Sequence, residues 1–138
     1  SGAGVVVLDV RRGDGPPSCF NYTMASVAAA DRLIDGSPQV AAAAVRAIVK
    51  TQAALKANVD LATVVGKKYF PSSEAALIAG LIERDLPYYD AVISEEFVDG
   101  MNQFARDLGI LHGHPAYGDV VATGVRDLWG EPISTLGH

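Results

Sequence analysis

The spacing of apolar positions changes along the chain, and the changes divide it. Residues 5–10, VVVLDV, are apolar at five of six positions and rich in β-branched valine, and they give way abruptly to RRGDGPP. A buried strand that ends on reaching the surface has this pattern. Strand alternation would put Val5, Val7, Asp9 and Arg11 on one face and Val6, Leu8 and Val10 on the other, so a carboxylate enters an otherwise apolar row. Residues 19–28, CFNYTMASVA, read as a second strand, with Phe20, Tyr22, Met24 and Ser26 sharing a face.

From residue 29 the pattern turns helical. Residues 29–35 predict a short helical turn closed by Gly36. Ser37-Pro38 predicts a helix start, with Ser as N-cap and Pro in the first turn, where its missing N–H is not needed. That helix runs to about Lys56 with a stripe of Ala41, Ala44, Val45, Ile48, Gln52 and Leu55, while Arg46 and Lys50 lie on a solvated face. Asn58 caps a helix to about Lys68, with Leu61, Ala62, Val64 and Val65 apolar. Pro71-Ser72 opens another over 73–84, where Leu77, Ile78, Leu81 and Ile82 recur at helical spacing despite Gly80. In Pro87-Tyr88-Tyr89-Asp90 a turn carries two aromatics that either pack or bind. Ser94 caps the last long helix, with Glu95 and Glu96 in its first turn, a stripe of Phe97, Met101, Phe104 and Leu108, and Gly109 as its end. Short helical pieces around 118–121 and 125–129 precede a polar tail from Gly130.

The expected fold class is therefore α/β: two strands followed by five or more helices. Two strands do not make a stable sheet alone, so further strands would come from sequence outside this chain or from a partner. The start, Ser1-Gly2-Ala3-Gly4, reads as the glycine-rich exit from a preceding helix, and the chain as a single fragment of a larger protein.

Composition narrows the function. A formal charge of −5 over 138 residues, with eleven scattered basic residues, argues against nucleic acid or an anionic membrane as partner, since both are bound through Lys and Arg clusters. Cys19 is the only cysteine, so neither an intrachain disulfide nor a four-thiolate zinc site can form. Gly13-Asp14-Gly15 lacks the Gly-Lys-Ser/Thr and the immediate helix that a phosphate loop needs. His112-Gly113-His114 lacks a third ligand at helical spacing. Asp9 is the leading candidate site residue: a carboxylate in an apolar row must be paired or used, so it either pairs with Arg11 or Arg12 or lies at the lip of a ligand cleft.

The order of a strand ending in Leu-Asp, a polar loop, a second strand and a Ser-Pro helix with Ala-Val-Arg-Ala-Ile resembles the C-terminal half of an ABC-transporter solute-binding protein, a type II periplasmic binding protein. The nearest branch is the one that binds sulfonates, nitrate and thiamine-pyrimidine precursors. Tyr89-Asp90-Ala91, Glu96-Phe97-Val98-Asp99-Gly100-Met101, Phe104-Ala105-Arg106 and the closing Val121-Ala122-Thr123 with Arg126 and Trp129 are similar to the end of such chains. The resemblance implies a two-lobed α/β fold. Residues 1–28 would be crossover strands, 29–129 the C-terminal helices of the first lobe and 130–138 a tail. It further implies no catalysis, cofactor or metal, a small polar solute and an ABC permease as partners, and a periplasmic or extracytoplasmic location whose signal this chain does not contain. Asp9, Asn21 and Tyr22 would contact the solute through hydrogen bonds and an aromatic face; the alternatives are that Asn21 satisfies a turn and that Tyr22 packs in the core. Two alternatives stay open. One is an enzyme similar to fungal relatives that make a thiamine pyrimidine precursor, although their cysteine-rich iron motif has no counterpart here. The other is a helical module that self-associates as a homodimer.

Overall fold

The computed structural model describes residues 4–15 and 25–130. Its elements are a 3-10 turn at Val10–Arg12, then α1 (Asp31–Gly36), α2 (Pro38–Ala57), α3 (Asp60–Tyr69), α4 (Ser72–Asp85), a 3-10 turn at Leu86–Tyr88, α5 (Glu95–Asp107), α6 (Tyr117–Val120) and a 3-10 segment at Thr123–Leu128. No strand is present among the described residues, so the expected α/β class is corrected to all-α. Residues 5–9 form no regular structure, and Val5 and Val7 are 88% and 92% exposed. A strand is held by hydrogen bonds and side-chain packing from neighbours, and β-branched composition does not substitute for them. Of the second expected strand, 25–28 is irregular and exposed, and 19–24 lies outside the described residues, as do 131–138 of the expected tail.

The helices start and stop largely where local chemistry dictates. Ser94 is extended, and its Oγ accepts a 3.1 Å hydrogen bond from the Phe97 amide, satisfying one of the first-turn donors of α5. Gly109, at φ +69°, ends the same helix in a Schellman motif: its amide donates to the Arg106 carbonyl and the Ile110 amide to the Ala105 carbonyl. Ser94→Ala should lower stability by about 1 kcal/mol, measured as a shift of the urea midpoint at constant slope; an unchanged midpoint would show that the cap bond contributes nothing. Asn58 serves two helices, closing α2 with its amide on the Ala54 carbonyl and accepting the Asp60 amide on its side chain at 3.0 Å. Ser37 takes the expected N-cap position of α2 with Pro38 in the first turn, but without the side-chain bond. Its amide is already used to end α1 on the Leu33 carbonyl, its ψ of 58° is not the extended cap geometry, and its hydroxyl makes no cap bond.

The described residues fall into two compact units, one within Ser1–Ala28 and Ile93–Thr123, the other within Ala29–Val92 and Gly124–His138. In the first, α5 packs on α6, Val98 and Val121 are buried, and the Tyr117 hydroxyl donates to the Ile93 carbonyl, tying together residues 24 positions apart. Phe104 and Leu108, expected on the buried stripe of α5, are exposed; Val98 takes the buried position and Met101 and Ala105 are half-buried. In the second unit α3 and α4 form the closest helix pair, α1 packs on α2, and α2 reaches α3 and the turn at Leu86–Tyr88. Small residues make the α3–α4 contact: Ala62, Gly66 and Ala75 are buried, whereas Leu61, Val64, Val65, Leu77 and Leu81 are exposed. Glycine and alanine let two backbones approach, and the larger apolar residues are left outside the pair.

Candidate functional site

Asp9 sits in a polar turn of the first unit that closes on itself. Its carbonyl accepts the amides of Arg12 at 3.0 Å and Asp14 at 3.3 Å, and its own amide donates to Asp14 Oδ2 at 3.0 Å. The Arg12 guanidinium lies between two carboxylates, with Nη2 3.4 Å from Asp14 Oδ2 and Nε 3.9 Å from Asp9 Oδ2. Gly13 and Gly15, at φ +86° and +113°, supply the left-handed backbone that the turn needs. The Asp9 side chain is 16% exposed while that of Arg12 is 61% exposed. Of the two roles open to Asp9, the pairing one thus has a named partner, Arg12. The same geometry explains why Gly13-Asp14-Gly15 makes no phosphate cradle: the Asp14 carboxylate already occupies the Asp9 amide that an anion would use.

Asn21 and Tyr22 lie outside the described residues. His112 and His114 are exposed, and no grouping of His, Cys, Asp or Glu suited to a metal occurs among the described residues. In the turn after α4, Tyr88 is exposed and Tyr89 half-buried. The Asp90 side chain that follows accepts the Val92 amide at 2.9 Å, which fixes the direction of its carboxylate.

Two hollows of the second unit share one residue, Lys56. The larger, of about 370 Å³, is an open surface depression beside Lys56, Glu83, Leu86 and Pro87. The smaller, of about 110 Å³, lies against the α2 face formed by Val49, Gln52, Ala53 and Lys56 and is completed by Asp90, Ala91 and Trp129. The four α2 positions follow the i, i+3, i+4, i+7 spacing of one helix face. Trp129 is 8% exposed, and the Arg126 guanidinium lies 5.9 Å from its ring centre, within cation–π range. The smaller hollow is thus bordered by a basic, an acidic and an amide-bearing residue, Lys56, Asp90 and Gln52, beside Trp129. Sequence reasoning assigned Gln52 to an apolar stripe and Lys56 to a helix end, and it placed neither at a site. The available signal was Gln52 itself, a hydrogen-bonding side chain at a core-facing position.

Compared with protein-family models, curated proteins and solved structures, the chain has no significant match.

Proposed function

We propose that this chain belongs to the solute-binding component of an ABC importer, which captures a small polar solute of the sulfonate, nitrate or pyrimidine-precursor class outside the cytoplasm and delivers it to a membrane permease. What supports the proposal is the resemblance in order and spacing to the end of such chains, above all at Tyr89-Asp90-Ala91, Glu96 to Met101 and Val121 to Trp129. These positions all follow residue 28, so this part of the resemblance does not depend on the strands that are absent from the described residues. Capture of this kind needs a solute that binds one conformation better than another.

Thermal unfolding of the full gene product against a panel of sulfonates, nitrate, carboxylates and pyrimidines tests the proposal. A ligand at a hundred times its Kd should stabilise the protein by about 2.7 kcal/mol, and no stabilisation by any of these compounds would refute it. Asp9→Asn then decides between the two roles of Asp9. The bonds made by the Asp9 amide and carbonyl survive this change, so the turn should keep its fold while the ion pair to Arg12 is lost. A solute-facing carboxylate would lose a charge-assisted bond of about 1.5 to 3 kcal/mol, one to two decades in Kd. Calorimetric titration reads this directly, and unchanged affinity would remove Asp9 from the binding site.

A further inference from the structure

We infer that the hollow between α2 and Trp129 is a binding site for a small zwitterion, with its anionic group on Lys56, its ammonium on Asp90 and its body against the indole. The inference does not rest on solute capture, because it is argued from the lining of one hollow within the second unit and not from the resemblance.

Three observations support it. First, Lys56 and Asp90 border the same space, yet no ion pair joins them among the described residues. A molecule that carries both charges can pair with a basic and an acidic residue on the border of one space. Second, the Asp90 carboxylate is held in place. Oδ1 accepts the Val92 amide, which leaves Oδ2 able to accept an ammonium. Third, the size fits. A hollow of about 110 Å³ has room for several waters or for a short amino acid. Gln52 adds an amide that can donate to a carboxylate or accept from an ammonium, and Trp129 supplies an apolar wall. A singly charged ligand would pair with one of the two residues only.

Trp129 is the only tryptophan of the chain, so tryptophan emission reports on the surroundings of this one side chain. The 138-residue chain is titrated with glycine and β-alanine, with acetate and methylammonium as single-charge controls. Saturable emission changes are expected for the zwitterions, with Kd on the order of 1 mM, and at least about tenfold weaker responses for the controls. Lys56→Gln and Asp90→Asn should each weaken zwitterion binding about tenfold or more, while Lys56→Arg retains it. Lys56 is exposed, and the asparagine keeps an oxygen for the Val92 amide, so far-UV circular dichroism and thermal midpoints should not move. The indole N–H resonance of Trp129 provides a second readout. If neither it nor the emission responds up to about 100 mM zwitterion, the site does not exist. Equal responses to the single-charge controls, or unchanged affinity in Lys56→Gln, would overturn the assignment as well. Asp9→Asn should leave this titration unchanged, which separates its outcome from that of solute capture.

Discussion

Trp129→Ala is expected to remove most of the stability of the second unit, with a loss of about 3 to 5 kcal/mol. The reason lies in what else is buried there. Among the described apolar residues of that unit, only Ala62, Ala75 and Trp129 are classed as buried, and two of these offer a single methyl group. An indole removes about 150 to 250 Å² from water, which at about 25 cal/mol per Å² corresponds to roughly 4 to 6 kcal/mol. Small domains have only about 5 to 15 kcal/mol in total, so the loss reaches the scale of the whole. Trp129→Phe keeps most of the ring area and the stacking surface for Arg126, and it should remain much closer to the parent chain. Chemical denaturation followed by circular dichroism measures both variants. A loss below about 1 kcal/mol for the alanine variant would mean that the indole covers the end of the unit without holding it together.

The helices were legible in the sequence because their signals are local. Ser94 three residues before the Phe97 amide, Gly109 where the chain must turn left-handed, and Asn58 between two helices each act within one turn of their own backbone. The strands were misread for the complementary reason. Valines at 5–7 describe a segment suited to pleated packing, but pairing is decided by residues far away in sequence, and no such partner is found among the described residues. Side-chain bulk also misled the choice of buried face. Leu61, Val65, Leu77 and Leu81 carry the larger apolar area, yet the α3–α4 contact is made by Ala62, Gly66 and Ala75, because close backbone approach depends on what is absent from a side chain.

The two candidate sites differ in the same way. Asp9 was recognisable because a carboxylate breaks an apolar row over six residues, and its partner Arg12 is three positions on. The hollow at Trp129 draws on positions 52, 56, 90 and 129, which only the fold brings together. Nothing in the spacing of these four residues along the chain announces them as neighbours. What the sequence did contain was an amide at a stripe position, and polar groups facing a core are costly unless something hydrogen-bonds to them.

Gly66→Leu should open the α3–α4 pair, with a loss of about 1 to 3 kcal/mol or somewhat more. A Cβ added at Gly66 would lie 3.2 Å from the Ala75 Cβ and 3.4 Å from its Cα, and Ala75 is fully buried. The second of those atoms is backbone, so it cannot move aside without shifting α4 as a whole. Alanine at this position is a closer contest, because its better helix propensity, worth about 1 kcal/mol, opposes a displacement of a few tenths of an ångström. Leucine adds three further carbons to the same gap, and the clash then dominates. Gly80 is the matched control. It also lies inside a helix, but nothing approaches within 4 Å of the Cβ it lacks, so Gly80→Ala should gain about 1 kcal/mol from propensity alone. Thermal melts should therefore rank Gly80→Ala above the parent chain and Gly66→Leu below it. If leucine at 66 melts with the parent, the two helices do not meet through Gly66 and Ala75, and the packing of the second unit described above is wrong.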